Sequence, residues 1–150
     1  MFKTVSLLII TLFLSTFLHA QRSLTKDERD VQQTIIDFFE SSSRRDSVGL
    51  ANTAAPDVIL FEYGQQWNMD TLIQKMIKRN TSQDFKRVNT FDFIKTLVDK
   101  DMAWVSYNLQ SDISREGKQT MIRWIETVVL LRTEKKWRIK VLHSTMISRS

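Results

Sequence analysis

The stretch MIRWIETVVLLRTEKKWRIKVLHSTMI, Met121 to Ile147, decides the fold class. Apolar and polar residues alternate on either side of Thr133 to Lys136, a short polar segment of the kind that turns a chain. Gln119 to Arg132 therefore reads as one long strand and Trp137 to Ile147 as its antiparallel partner. In the last strand Trp137, Ile139, Val141, His143, Thr145 and Ile147 share one face, which composition marks as the inner one. In the preceding strand Ile122, Trp124, Glu126, Val128 and Leu130 do the same. Pairing Arg132 with Trp137 across the turn sets Glu126 directly opposite His143. A one-residue slip would put the two on opposite faces.

Upstream, two more strands are expected. Phe85 to Val98 switches to period two, Val98 to Asp101 is a turn, and Met102 to Leu109 is rich in Trp, Val and Tyr. Asp112 to Lys118, with Gly117, reads as a hairpin loop. Before them the period is helical. Thr25 can cap a helix whose first turn carries Asp27 and Glu28, and Val31, Ile35, Phe38 and Phe39 recur on one stripe. The Ser41 to Asp46 run looks like its end. A short second helix follows Asp46 and stops before Pro56; Asp57 to Gly64 is a strand ending in a Gly turn; Asn68-Met69-Asp70 starts a third helix. Helices first and antiparallel strands after predict an α+β domain, three N-terminal helices packed on one face of a curved antiparallel sheet.

Residues 1–20 are set apart from this pattern. Met1-Phe2-Lys3 is a short positive start, Val5 to Leu18 is apolar apart from small hydroxyl residues, and the chain turns polar at Arg22. This is the pattern of a signal peptide cleaved after Ala20, although Leu18 stands where a small residue is preferred. An uncleaved anchor is the alternative, but the run is short for a membrane span. Residues 21–150 then form one domain, an exported protein, periplasmic or extracellular, with no membrane partner once cleaved. One Pro and three Gly leave little material for a linker. Apolar content of 42% and charged content of 26% are ordinary for a soluble domain.

With no Cys in the chain, thiol catalysis, a Cys-ligated metal and disulfide support are excluded. His143 is the only His after the export segment, so no His-rich metal site is expected. No GxSxG, P-loop or GxGxxG occurs, and no cofactor is expected. The net charge of +5 comes from basic residues scattered singly or in pairs among acids, without a basic helix, so nucleic acid is not an expected partner.

The order of elements, with Ala55-Pro56-Asp57 before a hydrophobic strand and Trp137-Arg138-Ile139 followed by His143 and Thr145, resembles the NTF2-like superfamily. More narrowly it resembles the SnoaL-like or DUF4440 branch, related in fold to ketosteroid isomerase. The resemblance covers residues 24–147 and implies a cone whose sheet curls around a pocket, with a homodimer through the outer sheet face. It carries no ketosteroid isomerase chemistry, because the first helix has no Tyr and Asp37 lies off the apolar stripe. The superfamily hosts isomerases, dehydratases, cyclases, ligand binders and assembly domains.

The candidate site residues are His143 and Glu126 as a proton-handling pair, with Trp124, Tyr63, Trp67 and Thr145 shaping a pocket for a small hydrophobic ligand. Burial of Glu126 would raise its pKa toward a useful range. A neutral, hydrogen-bonded core histidine is the plain alternative for His143, and core packing is the plain alternative for each aromatic. The expectation is a non-catalytic ligand-binding or assembly module. The alternative is a cofactor-free acid–base enzyme of isomerase, dehydratase or cyclase type.

Overall fold

The computed structural model describes residues 23–150, and the proposed export segment lies outside them. Helix α1 spans Lys26–Ser43. Its start is fixed by a capping box: the Glu28 amide donates to Thr25 Oγ1 and the Thr25 amide donates to the Glu28 carboxylate, satisfying two donors that a helix start leaves open. Helix α2 is Ser47–Thr53, capped by Asp46. Strand β1, Ala54–Glu62, and the short strand β2, Gln65–Trp67, form a hairpin. Tyr63 and Gly64 both have positive φ at its tip, the conformation a two-residue hairpin turn requires. Pro56 thus lies inside a strand and not just beyond a helix. Helix α3 is only Met69–Leu72, capped by Asn68, and continues as a π-helical segment over Ile73–Lys78.

Four long strands follow: β3 Lys86–Asp99, β4 Met102–Arg115, β5 Lys118–Thr133 and β6 Lys136–Arg149. The sheet order is β2-β1-β6-β5-β4-β3. Neighbours are antiparallel except β1 and β6, which run parallel, so the sheet is mixed where an all-antiparallel one was expected. Helix α1 packs against α2, β3 and β6. Val31, Ile35, Phe38 and Phe39 on its buried stripe meet Val105, Tyr107, Val128, Leu130, Ile139 and Leu142 of the inner sheet face. Gln32 donates to Thr96, and Asn89 to Ser43, tying the helix to β3.

The β5–β6 register corrects the sequence reading. From Arg132–Trp137 it runs as expected to Leu130–Ile139. There β6 carries one extra residue, Lys140, and Val129 pairs with Val141. Such a bulge reverses the face of the side chains that follow it, here as far as Met146, where a second shift carries Arg123 to Ser148. Thr127 therefore faces His143, and Glu126 faces Ser144. Among the described residues no helix is long and apolar enough to cross a membrane.

Candidate functional site

At the end of the cone beyond the bulge, polar side chains line up across the strands on the inner face. Glu62 ends β1, Ser144 is on β6 beside it, Glu126 on β5 pairs with Ser144, and Tyr107 on β4 pairs with Glu126. Glu126 is only 2% exposed, and Tyr107 is fully buried. The Ser144 hydroxyl donates to Glu126 Oε1 at 2.8 Å. The other carboxylate oxygen and the Tyr107 hydroxyl are both buried and complete no hydrogen bond of good geometry, although the phenol lies near enough to favour the ionised carboxylate. A buried carboxyl and phenol on paired positions, held to each other by no well-formed bond, are costly to bury.

Both carboxyl groups hold their protons far above the ordinary range. Burial pushes Glu126 up to about 7, against the favourable influence of Tyr107, Ser144 and the Arg87 guanidinium. Burial and the neighbouring Glu126 carboxylate push Glu62 up to about 8. Two close carboxyls resist ionising together, so the pair retains a proton near neutrality and titrates as a unit. Tyr107 is pushed well above the ordinary phenol value by burial and by Glu126, and stays neutral.

Arg87 supplies the opposing charge. It lies on β3, and its Nε–H donates to Asn89 Oδ1 at 2.9 Å and to Ser111 Oγ at 3.0 Å. The guanidinium sits 5.6 Å from the ring of Trp124 and 5.7 Å from that of Phe39. Among the described residues no carboxylate forms a direct salt bridge with it; it is a buried cation that feels Glu126, Glu62 and Glu40 through space only. Phe38, Phe39, Trp67 and Trp124 wall a small cavity, about 40 Å³, into which Glu62, Ser144 and Arg87 also project. It is large enough for one or two waters and too small for an organic ligand without side-chain movement. Two wider recesses adjoin it through Tyr63.

Of the residues expected from sequence, Glu126, Trp124, Tyr63 and Trp67 come together here. The Lys140 bulge turns His143 and Thr145 off the inner face, and both are exposed; they line an adjoining recess that also takes in Tyr63, Trp124, Glu62 and Ser144, but not the small cavity itself. His143 instead meets the ring of Phe61 edge-on at 5.9 Å. The Glu126–His143 pair is therefore absent, for the reason of register. Sequence reading missed Glu62 and Arg87. Glu62 was legible: Val58, Leu60 and Glu62 alternate, so its side chain shares the inner face. Among the described residues no cluster of three or more His, Asp or Glu side chains could hold a metal.

A curved sheet with helices over its inner face and a polar cluster at its open end defines an NTF2-like cone. The SnoaL-like domain model matches residues 31–148, and the chain belongs to that family. The solved structures similar to it include a conserved protein from Planctomyces limnophilus, with TM-score 0.72 and 12% identity over 81% of this chain and 98% of that one. A ketosteroid isomerase-like protein from Erwinia carotovora atroseptica has TM-score 0.68 and 14% identity, covering 83% and 99%. An NTF2-like protein from Cytophaga hutchinsonii has TM-score 0.68 and 12% identity, covering 83% and 100%. At these identities the likeness is one of fold. No curated protein sequence matches the chain.

Proposed function

We propose that the chain is an exported small-molecule pocket protein whose ligand presents a carbonyl or hydroxyl oxygen to the protonated Glu62–Glu126 pair. The observation that carries this is the Glu62 carboxyl in the aromatic cavity, with Glu126 across Ser144 behind it. With its pKa raised to about 8, Glu62 is a neutral acid at pH 7 and a hydrogen-bond donor. Trp67, Phe38 and Trp124 supply the apolar contact. Binding requires the cavity to open, and the hairpin tip at Tyr63, exposed and joined to a short edge strand, is the part least held by packing.

The test has two parts. Glutamate side-chain carboxyls are titrated by carbon-13 NMR, with two expected near 7 and 8; titration of both with the exposed glutamates would remove the donor. A ligand-observed NMR screen of small ketones, enones and alcohols is then run on the wild type and on Glu62→Leu. Hits lost in the variant support the reading, and hits indifferent to it defeat it.

A second reading is favoured by the orphaned atoms of Glu126 and Tyr107. They give Glu62 a reserve that can take or return a proton, and Arg87 is a fixed charge that would stabilise an anion formed nearby. This supports cofactor-free acid–base chemistry, isomerisation or dehydration. Glu62→Gln separates the two readings: a binder keeps its ligand, and an enzyme keeps the ligand and loses turnover.

The apolar run before Ala20 supports export, with a mature chain starting at Gln21; N-terminal sequencing of the protein recovered from its native host tests this. The outer sheet face exposes Val88, Trp104, Ile125 and Ile147, which supports a homodimer. Light scattering after size exclusion decides between one copy and two.

A further inference from the structure

The wider recess on the Arg87 side of the cavity is strongly basic. It encloses about 430 Å³ and is continuous with the inner cavity through Ser42, Tyr63, Met76 and Arg87. Five cations line it, Lys75, Arg87, Arg115, Lys118 and Arg149, against the single carboxylate of Glu116. None of the five makes a salt bridge among the described residues. They come from distant parts of the chain, the π-helical segment, the start of β3, the β4–β5 turn and the end of β6. The fold, and not a local basic run, gathers them around one concavity. Like charges so placed repel one another, and an anion relieves that repulsion.

We propose that this recess receives the anionic group of the ligand, so that the ligand class is a small amphiphilic anion: a carboxylate, sulfonate or phosphate on a compact apolar body. The body enters the aromatic cavity and the anion stays at the rim, where the cations also draw it in. The inference rests on the pocket reading above and narrows its ligand. A free small molecule fits the concavity better than a lipid surface, since a bilayer is too flat to reach Arg87 behind Tyr63 and Met76.

The experiment compares two fluorescent probes with the same aromatic body. One is 8-anilinonaphthalene-1-sulfonate, anionic; the other is N-phenyl-1-naphthylamine, neutral. The sulfonate is expected to bind at least about tenfold more tightly at low salt, and to lose that advantage as salt screens the rim. The Arg115→Gln/Arg149→Gln variant, in exposed residues outside the carboxyl site, is expected to weaken the sulfonate about fivefold and leave the neutral probe unchanged. The Lys135→Gln/Lys136→Gln variant, with the same charge loss at the opposite end of the sheet, is expected to change neither. Equal binding of the two probes, or equal effects of the two double variants, overturns the proposal. Co-sedimentation of the wild type with phosphatidylglycerol vesicles, lost in Arg115→Gln/Arg149→Gln, would assign the rim to a membrane and overturn it too. The carboxyl titration reads the inner cavity and these probes read the rim, so failure of one inference is distinguishable from failure of the other.

Discussion

Along β5, Glu126 and Leu130 are both essentially buried, four residues apart on the same face of the same strand. Leu130 lies between Ala103 and Ile139 in the apolar core and has no polar atom to satisfy. Glu126 has the Ser144 hydroxyl on one oxygen and only the poorly aligned Tyr107 phenol near the other. The closed end of the cone is thus packed as a core, while the open end accepts a conflict between burial and polarity. Natural sequences relax such conflicts except where a site requires them. The site proposed above rests on this difference between the two ends.

The comparison can be broken most directly at the closed end. Leu130→Ala should cost about 2–5 kcal/mol, the range for a fully buried leucine whose cavity cannot collapse. Urea denaturation reads this as a lower midpoint with an unchanged slope. A loss below about 1 kcal/mol would mean that this end is looser than its burial indicates.

At the open end the effect is smaller and depends on pH. Glu62 and Glu126 ionise at about 8 and about 7 in the folded chain, against an ordinary 4.5. Between those values the folded chain binds more protons than the unfolded one. Stability is therefore full below the ordinary value and is lost as pH rises through the folded values. For Glu126 the loss is on the order of 3 kcal/mol, from the displacement of its pKa. The wild type should be more stable at pH 5.5 than at pH 9; Glu62→Gln should remove the larger share of the difference, because its carboxyl is displaced further, and Glu126→Gln the smaller. A flat profile in the wild type would show that water reaches both carboxyls.

A finer comparison uses Arg132, which closes the other end. It donates to Asp27 at 2.5 Å, stands 3.9 Å from Asp101 and lies over Trp137 at 4.3 Å. It is partly exposed, so Arg132→Met should cost only about 1 kcal/mol, the ion pair and the ring contact each contributing a fraction. Arg132→Lys should recover the charge but not the flat contact with the indole. The open end, carrying uncompensated cations, should show no such loss on Arg149→Gln.

The fold was largely legible because periodicity carries it. The helical stripe Val31, Ile35, Phe38, Phe39 and the four alternating strands are bulk patterns that survive small errors of boundary. The site was legible only in part, because it depends on register. One bulge at Lys140 decides whether Glu126 meets His143 or Ser144. Its only trace in sequence is Val141-Leu142, two adjacent apolar residues where strict alternation would place one. Arg87 left no trace at all. Its side chain crosses from β3 to reach Trp124, and such reach is invisible to spacing arguments.

The smallest expected effect concerns how the open rim is held. Asp84 accepts from the Glu116 and Gly117 amides, each at 2.9 Å, and from the Ser82 hydroxyl. It thereby clamps the β4–β5 turn, whose flanks carry Arg115 and Lys118. Ser82 and the two turn amides favour the ionised form and lower its pKa to about 2, the opposite displacement from that of Glu126. Both are acidic side chains in one domain. One is exposed and supplied with donors, the other buried and short of them. For Asp84 the stabilising contribution is present above the ordinary 3.8 and is lost only as pH falls through about 2. Hydrogen exchange at the Glu116 and Gly117 amides should therefore remain protected down to about pH 3 in the wild type. In Asp84→Ala both amides should exchange faster at every pH, with strand amides in the closed end unchanged. If the two turn amides exchange equally in both proteins, the turn is held by its strands alone, and the rim cations owe their placement to the sheet and not to Asp84.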